Sequence, residues 1–499
     1  MDLIRQELDK LASVDLGSNS FHLAIAERHG DKLKKVASMS EKVQLGAGLD
    51  ENNHLSESVQ ARGLDCLARF AGRLVDVPIN RVRVVATNAL RQAINSDDFI
   101  QKANAILPVP IEIISGREEA RLIYLGVSHT SHSTRQRLVV DIGGGSTELI
   151  IGKGLTPLLT ESAQMGSVSF TQRFFKDGQI SDIAFERAIY AAQKEIIQHA
   201  NRYKKTGFEE VLGSSGTIKV IKQALAGFGL GDDITIAGVE QLRASLVACG
   251  HVDEIDFAGV KAHRKAFFPA GVAILLAVMK VFGIRLMRYC DGALREGVMY
   301  DLLSRLGSDD VRDDSVLALM ERFGVDKKQA KRVAKTAQAL FDQVADTLHL
   351  SLDNEQLLKR AALLHEIGQA IGHSGYHEHG AYMLKHADMA GFSRTDQQKL
   401  SSLVRYHRRG ITANDLDLLQ QIGGRKLATL ALLLRIAVVA NHSRTELGKQ
   451  QLKLDITSDQ HWHIQVQIDK PEHQACVIDI SDEATWFAKW GIGLSVTGV

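Results

Sequence analysis

A chain of 499 residues, 45% hydrophobic and 24% charged, has ordinary globular composition and enough length for three or four domains with real cores. Its formal net charge of +1 excludes a global field for polyanions, so any such affinity must come from local patches. No run approaches eighteen uninterrupted apolar residues, so no membrane span is expected. The first residues, Met1 to Glu7, are charged and lack the apolar core of a signal peptide. Cys66, Cys249, Cys290 and Cys476 show no CxxC or zinc spacing and read as buried free thiols in a reducing cytosol.

Residues 14–25 form the first patterned element: an apolar strand ending in Asp15, a turn of Gly17, Ser18, Asn19 and Ser20, and a second apolar strand. The stretch recurs at residues 140–151, with Asp141, the turn Gly143, Gly144, Gly145, Ser146, and another strand. Glycine lets such a turn expose consecutive backbone N–H groups, and hydroxyls add donors, so each turn suits phosphate oxygens. Two copies suggest two related half-domains closing on one phosphate chain. The copies differ where His22 in the first is Glu148 in the second.

Between and after them, residues 82–86, 111–114 and 138–141 read as strands followed by helices or a hairpin, an α/β pattern with mixed sheets. Thr87 to Arg91 follows one strand, with Arg91 able to fork onto phosphate. Ser115 and Glu118 have capping-box form, which leaves Glu119 free for a cleft. Gly213, Ser214, Ser215, Gly216 and Thr217 resemble a third anion turn, and residues 291–297 open a helix. Five prolines lie at or before Pro269 and the sixth is Pro471, so the interval between reads as successive helices, residues 327–348 among them. Residues 452–457 and 461–469 alternate like strands, and Trp462, Trp486 and Trp490 all fall in this last part. Boundaries are placed at residues 1–122, 123–304, 311–447 and 448–499, with a linker at 304–310.

Hydrolysis of a phosphoanhydride needs a water positioner, cations on the oxygens and in-line geometry. Glu119 and Glu148 could orient the water, while Asp141 and Asp15 hold magnesium, a hard cation that prefers oxygen ligands. In the helical part, His365-Glu366, then His373, His377 and His379, then Arg405, His407, Arg408 and Arg409 suggest a metal phosphohydrolase bundle. Its expected Asp after the first His is Glu366, and its late Asp is Asn441. A lost metal site is the reading, with the remaining His and Arg forming a basic groove.

Taken together, residues 15–20, 87–91, 115–121, 141–149, 213–217 and 291–297 resemble, in order and spacing, the exopolyphosphatase and guanosine pentaphosphate phosphohydrolase family of the actin-like ATPase superfamily. The family's S-G-x-E-E glutamate falls on Glu119 and its G-G-G-S-T-E acid on Glu148. The resemblance implies two actin-like (ribonuclease H-like) α/β domains, a degenerate HD-type all-α domain and a small C-terminal α/β domain. It further implies Mg2+ dependence, a homodimer for long members and a cytoplasmic protein with peripheral association at the inner face of the membrane. Gln44 departs from the pattern, which often has a basic residue there.

Residues 373–379 and 403–409 look like segments of long exopolyphosphatases. The expectation is therefore processive release of orthophosphate from inorganic polyphosphate. Ser18, Asn19, Ser20, Arg91, Gly144, Gly145, Ser146, Ser215, Gly216 and Thr217 would hold phosphates, and His377, His379, Arg405, His407, Arg408 and Arg409 the distal chain. The alternative is hydrolysis of guanosine pentaphosphate to the tetraphosphate; more distant readings are an actin-fold kinase and a polyanion-binding module. No nucleic-acid partner is expected.

Overall fold

A computed structural model describes residues 10–30, 32–131, 133–307, 309–445, 451–458 and 461–499. The readings of Met1 to Glu7, of linker residue 308 and of the boundary at 447–448 lie outside these residues. The chain forms two compact units, Met1–Asp309 and Asp310–Val499.

In the first unit, β1 (Lys10–Leu16), β2 (Phe21–His29) and β3 (Lys32–Glu41) form an antiparallel meander. After α1 (Glu57–Ala71) the chain adds β4 (Val82–Ala86) parallel to β1, then α2 (Asn88–Gln92) and β5 (Ile111–Ile113), giving the sheet order β3-β2-β1-β4-β5. Helix α3 (Gly116–Ser131) leads to β6 (Gln136–Ile142), β7 (Thr147–Lys153) and β8 (Thr156–Ala163), a second meander. It is followed by α4 (Asp182–Thr206), β9 (Glu210–Ser214), α5 (Ser215–Gly227), β10 (Ile234–Thr235), α6 (Phe268–Phe282), β11 (Leu286–Tyr289) and α7 (Leu294–Arg305). The second sheet runs β10-β11-β9-β6-β7-β8. Apart from β10, the two sheets repeat one plan, with a tight hairpin beside a parallel strand that enters through a helix.

The repeat is kept at the level of register. Asp15 pairs across its hairpin with His22, and Asp141 pairs with Glu148. The second hairpin is covered on both faces: β7 is buried from Thr147 to Gly152, as befits a near-continuous apolar strand. Helix α6 is apolar around its whole circumference, and only Lys280 of its residues is exposed, so it forms the centre of the second lobe's core.

Helices α3 and α7 cross in backbone contact. A methyl on Gly126 would overlap the Ala293 carbonyl, and one on Gly297 would overlap the Leu122 carbonyl. Beside this crossing lies a buried ion cluster. Asp301 of α7 accepts from Arg83 of β4 at 2.6 Å, from Arg305 at 2.8 Å and from Arg121 of α3. Arg121 also grips Glu118 through two bonds of 2.8 Å. Glu118 was expected to close a capping box. Ser115 Oγ does accept from the Glu118 amide at 3.1 Å, but the carboxylate goes to the ion cluster.

In the second unit, α8 (Lys327–Val344) starts where Asp326 accepts from the Lys328 and Gln329 amides, and it buries Ala330, Val333, Ala337, Leu340, Phe341 and Val344 at the three-to-four spacing. It packs with α9 (Leu352–Leu364), α10 (Tyr376–His386), α11 (Arg394–Tyr406) and α12 (Ala413–Ala440), which kinks at Gly424. A sheet of β12 (Leu452–Ser458), β13 (His461–Val466) and β14 (Gly493–Gly498), with α13 (Pro471–Asp482) between its last two strands, shares the helices' core through Trp462, Ile464 and Phe487. Among the described residues no helix is long and apolar enough to cross a membrane.

Candidate active site

The two glycine-rich turns face each other within the first unit. The Gln44 and Gly46 amides bond the carbonyls of Asn19 and Ser18 at 2.9 and 2.8 Å, which pins the first turn from behind. In the second, the Gly143 amide bonds the Ser146 carbonyl at 2.9 Å, and the Ser167 and Val168 amides bond the carbonyls of Gly143 and Gly144. A methyl on Gly144 would come 3.2 Å from Ser18 Cβ, and one on Gly145 would overlap the Asn88 side chain. The first turn, the second turn and the start of α2 therefore meet, and Ser18, Asn19, Ser20, Gly144, Gly145 and Ser146 share one locus. Ser215, Gly216 and Thr217 open α5 from the end of β9, with Ser215 at a left-handed φ of 86°. A methyl on Gly216 would sit 2.8 Å from Arg264 Nη2, so this third turn is backed by a cation.

Four carboxylates surround the turns: Asp15 near the end of β1, Asp141 near the end of β6, Glu148 early in β7 and Glu119 in the first turn of α3. Asp15 is pushed up to about 7, first by burial and then by Glu119, and its Oδ1 is buried with no hydrogen-bond partner. Asp141 is likewise raised to about 7 by burial, with Glu119 adding to the effect and Arg295 opposing it. Glu148, 1% exposed, is raised well above the usual carboxylate range by burial, Glu119 and Asp141. Ser162, its cross-strand neighbour on β8, donates to Glu148 Oε1 at 2.8 Å. The shifts share one cause: several acids occupy a dry site with too little positive charge to balance them.

Arg91 donates to Glu119 Oε2 at 2.8 Å and to the Ile114 carbonyl at 3.0 Å, so its guanidinium holds the Glu119 carboxylate in place. His22, the counterpart of Glu148, is pushed down to about 3 by burial and by Arg295 and Arg264. Arg295 donates to its Nδ1 at 3.2 Å. Arg264 belongs to a second basic group: burial lowers Lys42 and His263 first, and repulsion from Arg264 and Lys261 lowers both further.

No sequence pattern marks Arg264, Arg295, Ser162 or Asn88 individually as site residues. Arg295 lies inside the turn singled out at 291–297. Arg264 sits in an unpatterned Lys-Ala-His-Arg-Lys run, and Ser162 becomes visible only through strand register.

The second unit holds the other candidates. His377 and His407 are buried, so they are corrected as members of a basic groove. Burial pushes His377 down to about 4 and His407 well below its ordinary value, leaving both neutral. Nδ1 of His407 is tied to the Val404 carbonyl at 2.6 Å, and Nδ1 of His365 to that of Ala362 at 2.7 Å. Arg405 pairs with Glu378 at 2.8 Å, and Arg408 stacks over Tyr376 at 4.5 Å. His379 is half-buried and Arg409 exposed. Arg444 donates to Glu366 at 2.8 Å, putting a guanidinium on the acid of the His-Glu pair. Asn441 Nδ2 donates to Thr336 Oγ1 and the Ala437 carbonyl. Among the described residues no three His, Cys, Asp or Glu side chains are grouped to hold one metal ion.

Comparison with known proteins places this geometry. A model of the Ppx/GppA phosphatase family matches residues 24–306, and one of Ppx/GppA phosphatase domain III matches residues 311–479. Two relatives, from Vibrio vulnificus (strain YJ016) and Vibrio cholerae serotype O1 (strain ATCC 39541 / Classical Ogawa 395 / O395), are each 38% identical over 459 residues, covering 90% of this chain and 92% of theirs. Both are named guanosine-5'-triphosphate,3'-diphosphate pyrophosphatase. An exopolyphosphatase structure from Cytophaga hutchinsonii aligns with a TM-score of 0.55 at 23% identity, over 60% of this chain and all of that one. A Ppx/GppA structure from Aquifex aeolicus aligns at 0.51 and 26% identity, over 60% of this chain and 99% of that one. The fold is thus α/β with actin-like sheets and a helical C-terminal region.

The expectation of an exopolyphosphatase is corrected by the relatives that match nearly end to end, since they carry the nucleotide hydrolase's name. That expectation rested on the basic look of residues 373–379 and 403–409, whose histidines 377 and 407 are buried and uncharged. With both family models spanning most of its length, the chain belongs to the Ppx/GppA phosphatase family.

Proposed function

We propose that the protein hydrolyses the terminal phosphoanhydride of guanosine 5'-triphosphate 3'-diphosphate, releasing orthophosphate and the guanosine tetraphosphate. The observation that carries the reading is the group of buried, mutually repelling carboxylates between two phosphate-gripping turns, in a chain 38% identical to enzymes named for this substrate. The cations about the turns support a highly phosphorylated nucleotide: Arg295 acts on Asp15 and Asp141, and Arg264, which acts with Arg295 on His22, adjoins Lys42 and Lys261.

Water attacks the terminal phosphorus in line with the bridging oxygen, which leaves on the remaining 5'-diphosphate. Glu119, oriented by Arg91, takes the water's proton, and Glu148 fixes the water's second hydrogen-bonding direction. Amides and hydroxyls of the turns at Ser18, Asn19, Ser20, Gly144, Gly145, Ser146, Ser215, Gly216 and Thr217 hold the phosphate oxygens. Asp15 and Asp141 fit Mg2+. An unpartnered buried carboxylate oxygen and two acids near pH 7 call for a cation, and Mg2+ takes few protein ligands while keeping waters and phosphate oxygens. When bound it would neutralise charge on the phosphates. The helical unit reads as a degenerate HD-type domain in which Arg444 and Asn441 have replaced metal chemistry by hydrogen bonding.

The test compares kcat/KM for phosphate release from guanosine pentaphosphate and from inorganic polyphosphate, with Glu119→Gln as control. The nucleotide should be the better substrate, and Glu119→Gln should lower kcat by about two to four orders of magnitude without unfolding the protein. A higher kcat/KM on polyphosphate would overturn the substrate; an active, folded Glu119→Gln protein would overturn the mechanism.

A further inference from the structure

The first unit holds a cavity of about 770 Å3, a size typical of small-molecule sites, on the far side of the α3–α7 crossing from the carboxylates. His129, on its wall, lies ten residues beyond Glu119 on α3, about 15 Å along the axis. None of its lining residues holds phosphate or water in the reaction above.

Both lobes build its walls. On β3, Leu33 and Lys35 are two residues apart and share a face with Ala26, the partner of Lys35 on β2. Met299 of α7 packs on Ala26, with Leu33 against the pair. The β7–β8 turn supplies Gly154, at a left-handed φ of 58°, and Leu155, an apolar side chain left 53% exposed. The Tyr124 hydroxyl donates to the Gly154 carbonyl at 3.1 Å and so pins that turn. His129 of α3 and Tyr300 of α7 stack with ring centroids 3.6 Å apart.

Charge is divided across this apolar body. Lys32 and Lys35 belong to one wall, Asp291 and Glu296 to another, and among the described residues no ion pair joins the two. Asp291 instead pairs with Lys219 at 3.1 Å. Glu296 Oε2 accepts from the Ala293 amide at 3.1 Å, which fixes the carboxylate and leaves Oε1 to a further donor. A flat ring with an anion at one end and N–H donors at the other matches all three features. A nucleoside phosphate has this form.

We infer that the cavity is a second, regulatory site and that its ligand is a nucleoside phosphate. The phosphate lies on Lys32 and Lys35, the base against Leu33, Leu155 and Tyr300, and an N–H edge of the base on Glu296. A ligand there touches β3, the β7–β8 turn and both crossing helices at once. It holds the two sheets at one angle on the helix pair, so the phosphate-gripping turns lose freedom to close and kcat falls. The site stands apart from the choice of substrate, because binding is measured without turnover.

Calorimetric titration of the full-length protein with guanosine monophosphate, guanosine and inorganic phosphate tests this, together with turnover at saturating substrate. The monophosphate should bind about tenfold tighter than either fragment and lower kcat by about twofold or more. Lys35→Glu and Leu155→Trp, at two exposed positions, should each weaken its binding by about tenfold and remove the inhibition. Their own kcat and KM without the nucleotide should match the wild type. Binding that neither substitution changes would place the nucleotide at the catalytic turns and overturn the proposal. So would inhibition that excess substrate abolishes, inorganic phosphate binding as tightly as the nucleotide, or no binding at millimolar concentration.

Discussion

Replacing Asp141 by asparagine should make the protein more stable at neutral and alkaline pH when no divalent cation is present. Asp141 is 7% exposed, and its carboxyl is raised from 3.8 to about 7 by burial and by Glu119. The folded chain thus binds this proton more tightly than the unfolded chain does. Stability conferred by the neutral carboxyl is complete below pH 3.8 and is lost as pH rises through about 7. A rise of roughly three pH units corresponds to about 4 kcal/mol at most, at about 1.4 kcal/mol per unit. Partial hydration of the ionised form reduces that, so about 2 kcal/mol is the working figure. At roughly 2 °C per kcal/mol for a unit this large, the asparagine variant should melt about 4 °C above the wild type at pH 8, with the gap shrinking to about 1.5 °C at pH 5. Thermal unfolding in chelator from pH 5 to 8.5 measures this. Magnesium should narrow the gap by binding only the folded wild type. Parallel pH slopes for the two proteins would refute the carboxylate-crowding argument.

Two other changes test the supports of the site. Ser162→Ala removes a hydrogen bond that favours ionised Glu148. It should move the acidic limb of the kcat–pH profile upward by about one unit, and an unmoved limb would mean that Ser162 only fills space. Asp301→Asn leaves Arg83, Arg121 and Arg305 without their shared buried acid and should cost about 3–5 kcal/mol in denaturant unfolding. A loss under about 1 kcal/mol would show that the cluster relaxes around the amide.

Much of the first unit was legible because its information is local. Each hairpin is a strand, a glycine turn and a strand, and register follows once the turn is known, so Asp15, Asp141 and Glu148 could be placed from the pattern alone. Glu119 stood out as the second acid in a helix's first turn, although the reason for setting Glu118 aside differs: its carboxylate goes to Arg121 and not to the cap. What stayed hidden depends on contacts distant in sequence. Arg264 backs Gly216 from a run with no periodicity, and Ser162 reaches Glu148 through pairing between neighbouring strands. The basic look of residues 403–409 misled because charge counted along a chain ignores direction: His407 points inward and Arg405 is neutralised by Glu378. Substrate choice was drawn from that segment and failed with it.

The crossing of α3 and α7 has a mechanical consequence. Both helices start at the site, α3 carrying Glu119 in its first turn and α7 carrying Arg295. They touch backbone to backbone at Gly126 and Gly297, with no side chain between them. The contact runs from Leu122 to Gly126 on α3 and from Ala293 to Gly297 on α7, and the Arg121–Asp301 ion pair ties the same two helices again. Two rods fastened at more than one place cannot pivot freely. Glu119 lies three residues from Leu122, about 5 Å along the axis, and Arg295 lies within the contact itself. The distance between the two side chains is thus set by backbone packing, and a methyl at Gly126 or Gly297 would change it.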